Sequence, residues 1–201
     1  MRDDLDEQPR LKMIRRKEAH DRKLAAATQE KGLIVVTTGA GKGKTTAALG
    51  LLFRALGHGM KVGVVQFTKG AIATGEAALA KRLAPQLEWH TLGEGFTWET
   101  QDRSRDVANA RQTWETAARL LHYPSFDLVV LDELNIALRY DYLSLEEVLA
   151  ELRTKREMLH VVITGRNAKA EQINLADLVT EMTLIKHPFR SGMKPQHGME
   201  Y

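Results

Sequence analysis

The stretch from Leu33 to Leu52 constrains this chain more than any other. A strand-like run, Leu33-Ile34-Val35-Val36-Thr37, leads into Thr38-Gly39-Ala40-Gly41-Lys42-Gly43-Lys44-Thr45-Thr46 and then into a helix-like run beginning Ala47-Ala48-Leu49. A glycine-rich loop between strand and helix gathers backbone N–H groups and the positive end of a helix dipole around an anion. Lys44 can add a point charge on phosphates, and the Thr45 hydroxyl is placed to ligate Mg2+. The usual spacing is G-x-x-x-x-G-K-[ST], and Thr38 stands where its first glycine would be. Gly39, Gly41 and Gly43 still leave the loop free of Cβ atoms, so backbone can approach phosphate closely. The loop reads as a nucleotide cradle, though not necessarily that of an ordinary kinase or NTPase.

At 201 residues the chain fits one domain with a substantial core. With no cysteine there is no disulfide, thiolate metal site or cysteine nucleophile, a composition that suits a reducing cytoplasm. No apolar run approaches the roughly 20 residues of a membrane span, and the start of the chain lacks the apolar stretch of a secretory signal. The net charge of +3 is local: Arg10, Lys12, Arg15, Arg16, Lys17, Arg22 and Lys23 face only Glu18 and Asp21. Without interleaved aromatics or a recognition motif, residues 1–30 read as a solvated, charged helical arm, not a nucleic-acid interface.

From Lys31 onward strand and helix signals alternate, so residues 31–201 form one α/β domain. Strand patterns fall at Leu33–Thr37, Lys61–Thr68, Leu87–Thr91, Leu128–Leu131, Val161–Thr164 and Val179–Lys186. Helical patterns fall at Lys44–Leu56, Gly75–Leu83, Asp102–His122, Ser144–Arg156 and Ala168–Leu175. Ser144 with Glu147 is a capping box, and Trp114 lies on an apolar helical stripe that makes it core. Continuous apolar strands such as Leu128-Val129-Val130-Leu131 call for burial on both faces. The fold expected is a doubly wound, mostly parallel sheet with ligands at the strands' carboxyl ends.

That strand also ends in Asp132-Glu133. An acid at such a strand end, paired with a phosphate loop, holds Mg2+ directly or through water. Adjacent residues of an extended strand face opposite ways, so one acid serves the metal; the other hydrogen-bonds nucleotide or caps the helix after it, Leu134–Arg139. Gly93-Glu94-Gly95-Phe96-Thr97-Trp98 reads either as aromatics tucked under the domain or as a lip for a large flat apolar ligand. His187 reads as structural and Gly57-His58-Gly59 as a helix-ending turn; no zinc-site spacing or nucleophile elbow is visible.

Together these segments resemble the corrinoid adenosyltransferases of the P-loop type, whose fold is P-loop NTPase-like (RecA-like). The resemblance is carried by Thr38–Thr46, Gly57-His58-Gly59, Val64–Gly70, Gly95–Thr100, Val130–Asn135, Tyr140–Leu143, Val162–Arg166 and Lys186–Phe189, within a match running from about Gly32 to Tyr201. It implies attack of the Co(I) of a reduced corrinoid on C5′ of ATP, with triphosphate released. By carry-over, Gly39, Ala40, Gly41, Lys42, Gly43, Lys44, Thr45 and Thr46 hold the triphosphate, and Asp132 or Glu133 completes the contacts to Mg2+ (or Mn2+) and ribose. Arg54 either reaches the nucleotide or forms a surface salt bridge, and Phe96 and Trp98 face the corrinoid. The family further implies a homodimer whose N-terminal arm contributes to the corrinoid site, and a flavoprotein reductant. Two other readings share the motifs: a P-loop phosphotransferase or NTPase, and a non-enzymatic ATP- or corrinoid-binding regulator.

Overall fold

A computed structural model describes residues 3–67, 75–80, 82–83, 85–91 and 102–199. Two compact units divide the chain, Met1–Lys31 and Gly32–Tyr201. The first is one helix, α1 (Asp3–Ala26), which includes Pro9. Among the described side chains Leu11, Met13, Ile14 and Leu24 are exposed, so they form no buried stripe of the kind that docks a helix on a core.

The second unit alternates strand and helix: β1 (Ile34–Thr38), α2 (Lys44–Gly57), β2 (Val62–Gln66), α3 (Gly75–Ala80), β3 (Leu87–Thr91), α4 (Arg103–His122), β4 (Leu128–Asp132), α5 (Leu134–Arg139), α6 (Leu145–Thr154), β5 (His160–Thr164), α7 (Ala170–Leu175) and β6 (Leu178–Glu181). The strands form one sheet in the order β3-β2-β4-β5-β1-β6. Every pairing is parallel. β1, β2 and β4 are buried along their whole length, as their unbroken apolar runs require.

Successive residues of a strand point to opposite faces, and the core divides accordingly. Val35, Val64, Val130 and Val162 pack with Ala48, Leu49 and Leu52 of α2. Their neighbours Val36, Val65, Val129 and Val161 pack with Trp114, Leu120 and Leu121 of α4 and Leu152 of α6. Helices therefore cover both faces, the doubly wound arrangement. Trp114 is core, as its helical stripe indicated.

Several boundaries move for local reasons. Asp102 is the N-cap of α4 and accepts a hydrogen bond from Arg105 N at 3.1 Å, so it precedes the helix. Ser144 caps α6 in the same way through Glu147 N at 3.4 Å. The last strand, expected over Val179–Lys186, is the shorter β6, a mostly exposed edge strand with β1 as its one partner in the sheet. His187 N-caps a 3-10 turn at Pro188–Ser191, a structural role.

Candidate functional site

The phosphate loop leaves the carboxyl end of β1, and its three glycines answer three different demands. Gly39 has φ +95° and lies where a Cβ would sit 2.5 Å from Met182 O. Gly41 has ordinary φ but donates its N–H to Met182 O at 2.6 Å, too close for any side chain. Gly43 has φ +101° with open space beside it, and serves as the left-handed N-cap of α2. The N-cap glycine brings no side-chain cap and no acid lies in the first turn, so among the described residues the leading N–H groups and dipole of α2 are left for an anionic ligand. Thr38, the residue at the missing glycine, is buried as the last residue of β1. Its hydroxyl accepts from Ala168 N at 3.1 Å, tying the loop's first residue to the segment after β5.

Lys44 is only 6% exposed. Its ammonium donates to Gly39 O at 2.9 Å and to Gly41 O, leaving one of three protons for another acceptor. Burial pushes this lysine below its ordinary pKa; Glu133 opposes the shift and Arg166 adds to it.

β4 delivers the two acids to different places. Asp132, 1% exposed, accepts from Thr45 Oγ1 at 2.9 Å, Thr164 Oγ1 at 2.7 Å and Gln66 Nε2 at 2.9 Å. Gln66 Oε1 in turn accepts from Trp89 Nε1 and Thr91 Oγ1, which fixes the amide's orientation. Register explains the convergence, since Gln66 pairs with Asp132 across β2–β4 and β5 ends beside β4. Glu133 turns away in the left-handed region at φ 61°, its N–H donated to Thr164 Oγ1 at 2.9 Å. It occupies the N-cap position of α5 without capping through its side chain, so the capping role open to the second acid is not taken. A non-glycine residue held at such φ costs about 1–3 kcal/mol and persists only where its surroundings enforce it.

A cavity of about 790 Å³ opens over the loop, walled by Gly41 to Thr46, Glu133 and Arg166 together with Phe53, Leu79 and Met199. Of the residues singled out in the sequence, Gly41, Lys42, Gly43, Lys44, Thr45, Thr46 and Glu133 line it. Gly39 is buried and Ala40 exposed, both outside that lining. Arg54 is exposed in the last turn of α2, also outside it. Phe96 and Trp98 lie outside the described residues. Sequence reasoning passed over Gln66, Thr164, Arg166 and Phe53 as site residues. Gln66 and Thr164 close apolar strands with a polar side chain, and that shared ending was their one available signal.

Residues 30–201 match the family model described as ATP:corrinoid adenosyltransferase BtuR/CobO/CobP. The chain is similar to a corrinoid adenosyltransferase of Pseudomonas aeruginosa, 53% identical over 98% of this chain and 97% of the relative. It resembles another from Sinorhizobium sp., 55% identical over 95% and 90%. The corrinoid adenosyltransferase CobA of Salmonella typhimurium is 45% identical over 98% and 99%.

Proposed function

The chain belongs to the ATP:corrinoid adenosyltransferase BtuR/CobO/CobP family, and we propose from that premise how its cavity performs adenosyl transfer. The electron pair of Co(I) in a reduced corrinoid forms a bond to C5′ of ATP. The C5′–O5′ bond breaks, its electrons leave on the triphosphate, and cobalt becomes formally Co(III). No proton leaves the nucleophile, so no general base is required; the protein's task is to aim C5′ and to stabilise charge on the leaving group.

The observation that carries this reading is the cradle itself: an α2 N-terminus without side-chain cap or first-turn acid, with the Lys44 ammonium beside it. Gly39 to Thr46 hold the triphosphate as a leaving group, in a sense reversed from phosphoryl transfer, so that C5′ faces the corrinoid. An oxygen donor set at Thr45 and Asp132, 2.9 Å apart, fits Mg2+, which takes one or two protein oxygens and shares the rest with phosphates and water. Glu133 on the cavity wall is the further oxygen ligand or ribose contact. Mg2+, or Mn2+ in its place, supplies neutralisation of phosphate charge. Phe96 and Trp98 form the corrinoid-facing lip. A cytoplasmic homodimer whose N-terminal arm closes the corrinoid site, served by a flavoprotein reductant, completes the proposal.

The test is anaerobic incubation with ATP, Mg2+ and chemically reduced cobalamin, with the corrinoid spectrum and the phosphate products both monitored. A light-sensitive adenosylcorrinoid and inorganic triphosphate should form in equal amounts. ADP or orthophosphate without cobalt alkylation overturns the reading and leaves a phosphotransferase or NTPase.

A further inference from the structure

β5 lies between β1 and β4 in the sheet, so the chain leaving β5 emerges between the phosphate loop and the strand-end acids. That exit runs Thr164-Gly165-Arg166-Asn167-Ala168, and its backbone is tied on both sides. Thr164 Oγ1 donates to Asp132 Oδ1 at 2.7 Å and accepts from Glu133 N at 2.9 Å. Gly165 N donates to Thr37 O at 3.2 Å, and Gly165 O accepts from Asn135 Nδ2 at 2.9 Å. Gly165 has φ +130°, and a Cβ there would sit 2.7 Å from Asn135 Cβ. Ala168 N reaches Thr38 Oγ1 at 3.1 Å. Between these ties stands Arg166, exposed and lining the same cavity as Lys44 and Glu133. Its guanidinium makes no hydrogen bond or ion pair among the described residues, so it is available to a ligand in the cavity. The scaffold is over-determined, and the cation it carries has no structural employment.

We propose that Arg166 is a second cation of the triphosphate site, gripping the leaving group beside Lys44 and stabilising the charge that builds as C5′–O5′ breaks. The proposal rests on the adenosyl-transfer reading. Both electrons of the broken bond go to O5′ of the triphosphate, and Arg166 gives up no proton, being charged at every working pH. Inorganic triphosphate is a more highly charged leaving group than the ADP released in a kinase reaction. A loop with one lysine and helix N–H groups gains most from a fork that binds two phosphate oxygens at once. Because the interaction strengthens as negative charge accumulates, it acts on kcat more than on KM.

The experiment compares Arg166→Ala, Arg166→Lys and, as a charge control away from the cavity, Arg153→Ala in the full chain. Two quantities are read: affinity for inorganic tripolyphosphate by calorimetry, and kcat and KM for adenosyl transfer. Arg166→Ala should weaken tripolyphosphate binding about tenfold or more and lower kcat about 100-fold, with a smaller change in KM. Arg166→Lys should fall between it and the native protein, because the charge stays while the fork is lost. Arg153→Ala should match the native protein in both. Native tripolyphosphate affinity in a folded Arg166→Ala protein overturns the proposal, whatever happens to kcat. The same binding measurement separates the two layers: if the native protein transfers no adenosyl group, the parent reading fails while the tripolyphosphate arm still decides Arg166. Should Arg166→Ala fail to fold, Arg166→Lys carries the decision alone, since unchanged affinity and kcat there exclude a bidentate grip.

Discussion

Two neighbouring strand ends, those of β1 and β5, solve the same problem with different chemistry. Thr37 and Thr164 are register partners, and a threonine–glycine step lies at the end of each strand: Thr38-Gly39 and Thr164-Gly165. After β1 the chain uses glycines to pass close against Met182 and to N-cap a 14-residue helix that has no side-chain cap. After β5 a single glycine bends the chain at φ +130°, and the next residue offers a guanidinium. The first is a cradle of backbone dipoles with a lysine folded over it; the second is one side chain on a fixed post. Preorganised backbone dipoles cost no reorganisation when charge develops, whereas a side chain adds reach and full charge. A triphosphate leaving group can use both.

The sharpest way to test this division is to remove one half. Lys44→Ala should lower kcat/KM for adenosyl transfer about 10²–10³-fold, the range for losing a main charge-stabilising donor. Arg166→Ala should fall at the lower end of that range, about 100-fold, because the helix N-terminus and Lys44 persist. A Lys44→Ala enzyme with native turnover would place the triphosphate elsewhere.

Next come the two bends. Gly165→Ala should destabilise the fold by about 2–4 kcal/mol, combining left-handed strain with a clash against Asn135. Gly43→Ala, with similar φ and open space beside it, should cost about 1–2 kcal/mol. Denaturant unfolding measures both, and equal losses would mean that the contact with Asn135 carries nothing. Thr38→Val probes the tie between the two loops. It strips the acceptor from Ala168 N while keeping the branched shape, and a loss of about 1–2 kcal/mol is expected in the same assay. An unchanged midpoint would make that hydrogen bond incidental.

The smallest effect is electrostatic. Burial sets Lys44 below its ordinary value of 10.5, so its positive charge is lost at lower pH than for a free lysine. Tripolyphosphate affinity should therefore fall on an alkaline limb that begins below 10.5. Glu133→Gln removes the group that raises the Lys44 pKa and should move the limb to lower pH. Arg166→Ala removes a like charge and should move it to higher pH. Folding responds in the opposite sense. Between the lowered native value and 10.5 the unfolded chain binds more protons, so this group's contribution to stability rises with pH. Limbs that move together in the two variants would contradict the placement of Glu133 and Arg166 around Lys44.

Much of the molecule was legible before any coordinates, and for definite reasons. Glycines at 39, 41 and 43 with Lys44 and Thr45 directly after them are a local pattern, because strand, loop and helix N-terminus are contiguous in the chain. The unbroken apolar runs of β1, β2 and β4 declared burial on both faces. Asp132-Glu133 announced a strand-end acid without dividing the labour between the pair. That division depends on Thr45 and Thr164, 87 and 32 residues away, donating their hydroxyls to the Asp132 carboxylate. Gln66 escaped notice because its partner Asp132 lies across a strand pairing that only the sheet's register creates.

The amino-acid sequence by itself determined the elements, the parallel sheet and the phosphate cradle, since each is written in short-range periodicity, glycine placement and apolar continuity. Tertiary structure alone decided the order of the strands. By inserting β5 between β1 and β4, the sheet brings Thr164 onto Asp132 and sets Arg166 on the wall above the phosphate loop. Strand order arises from pairing between segments far apart in the chain, where no local propensity can speak.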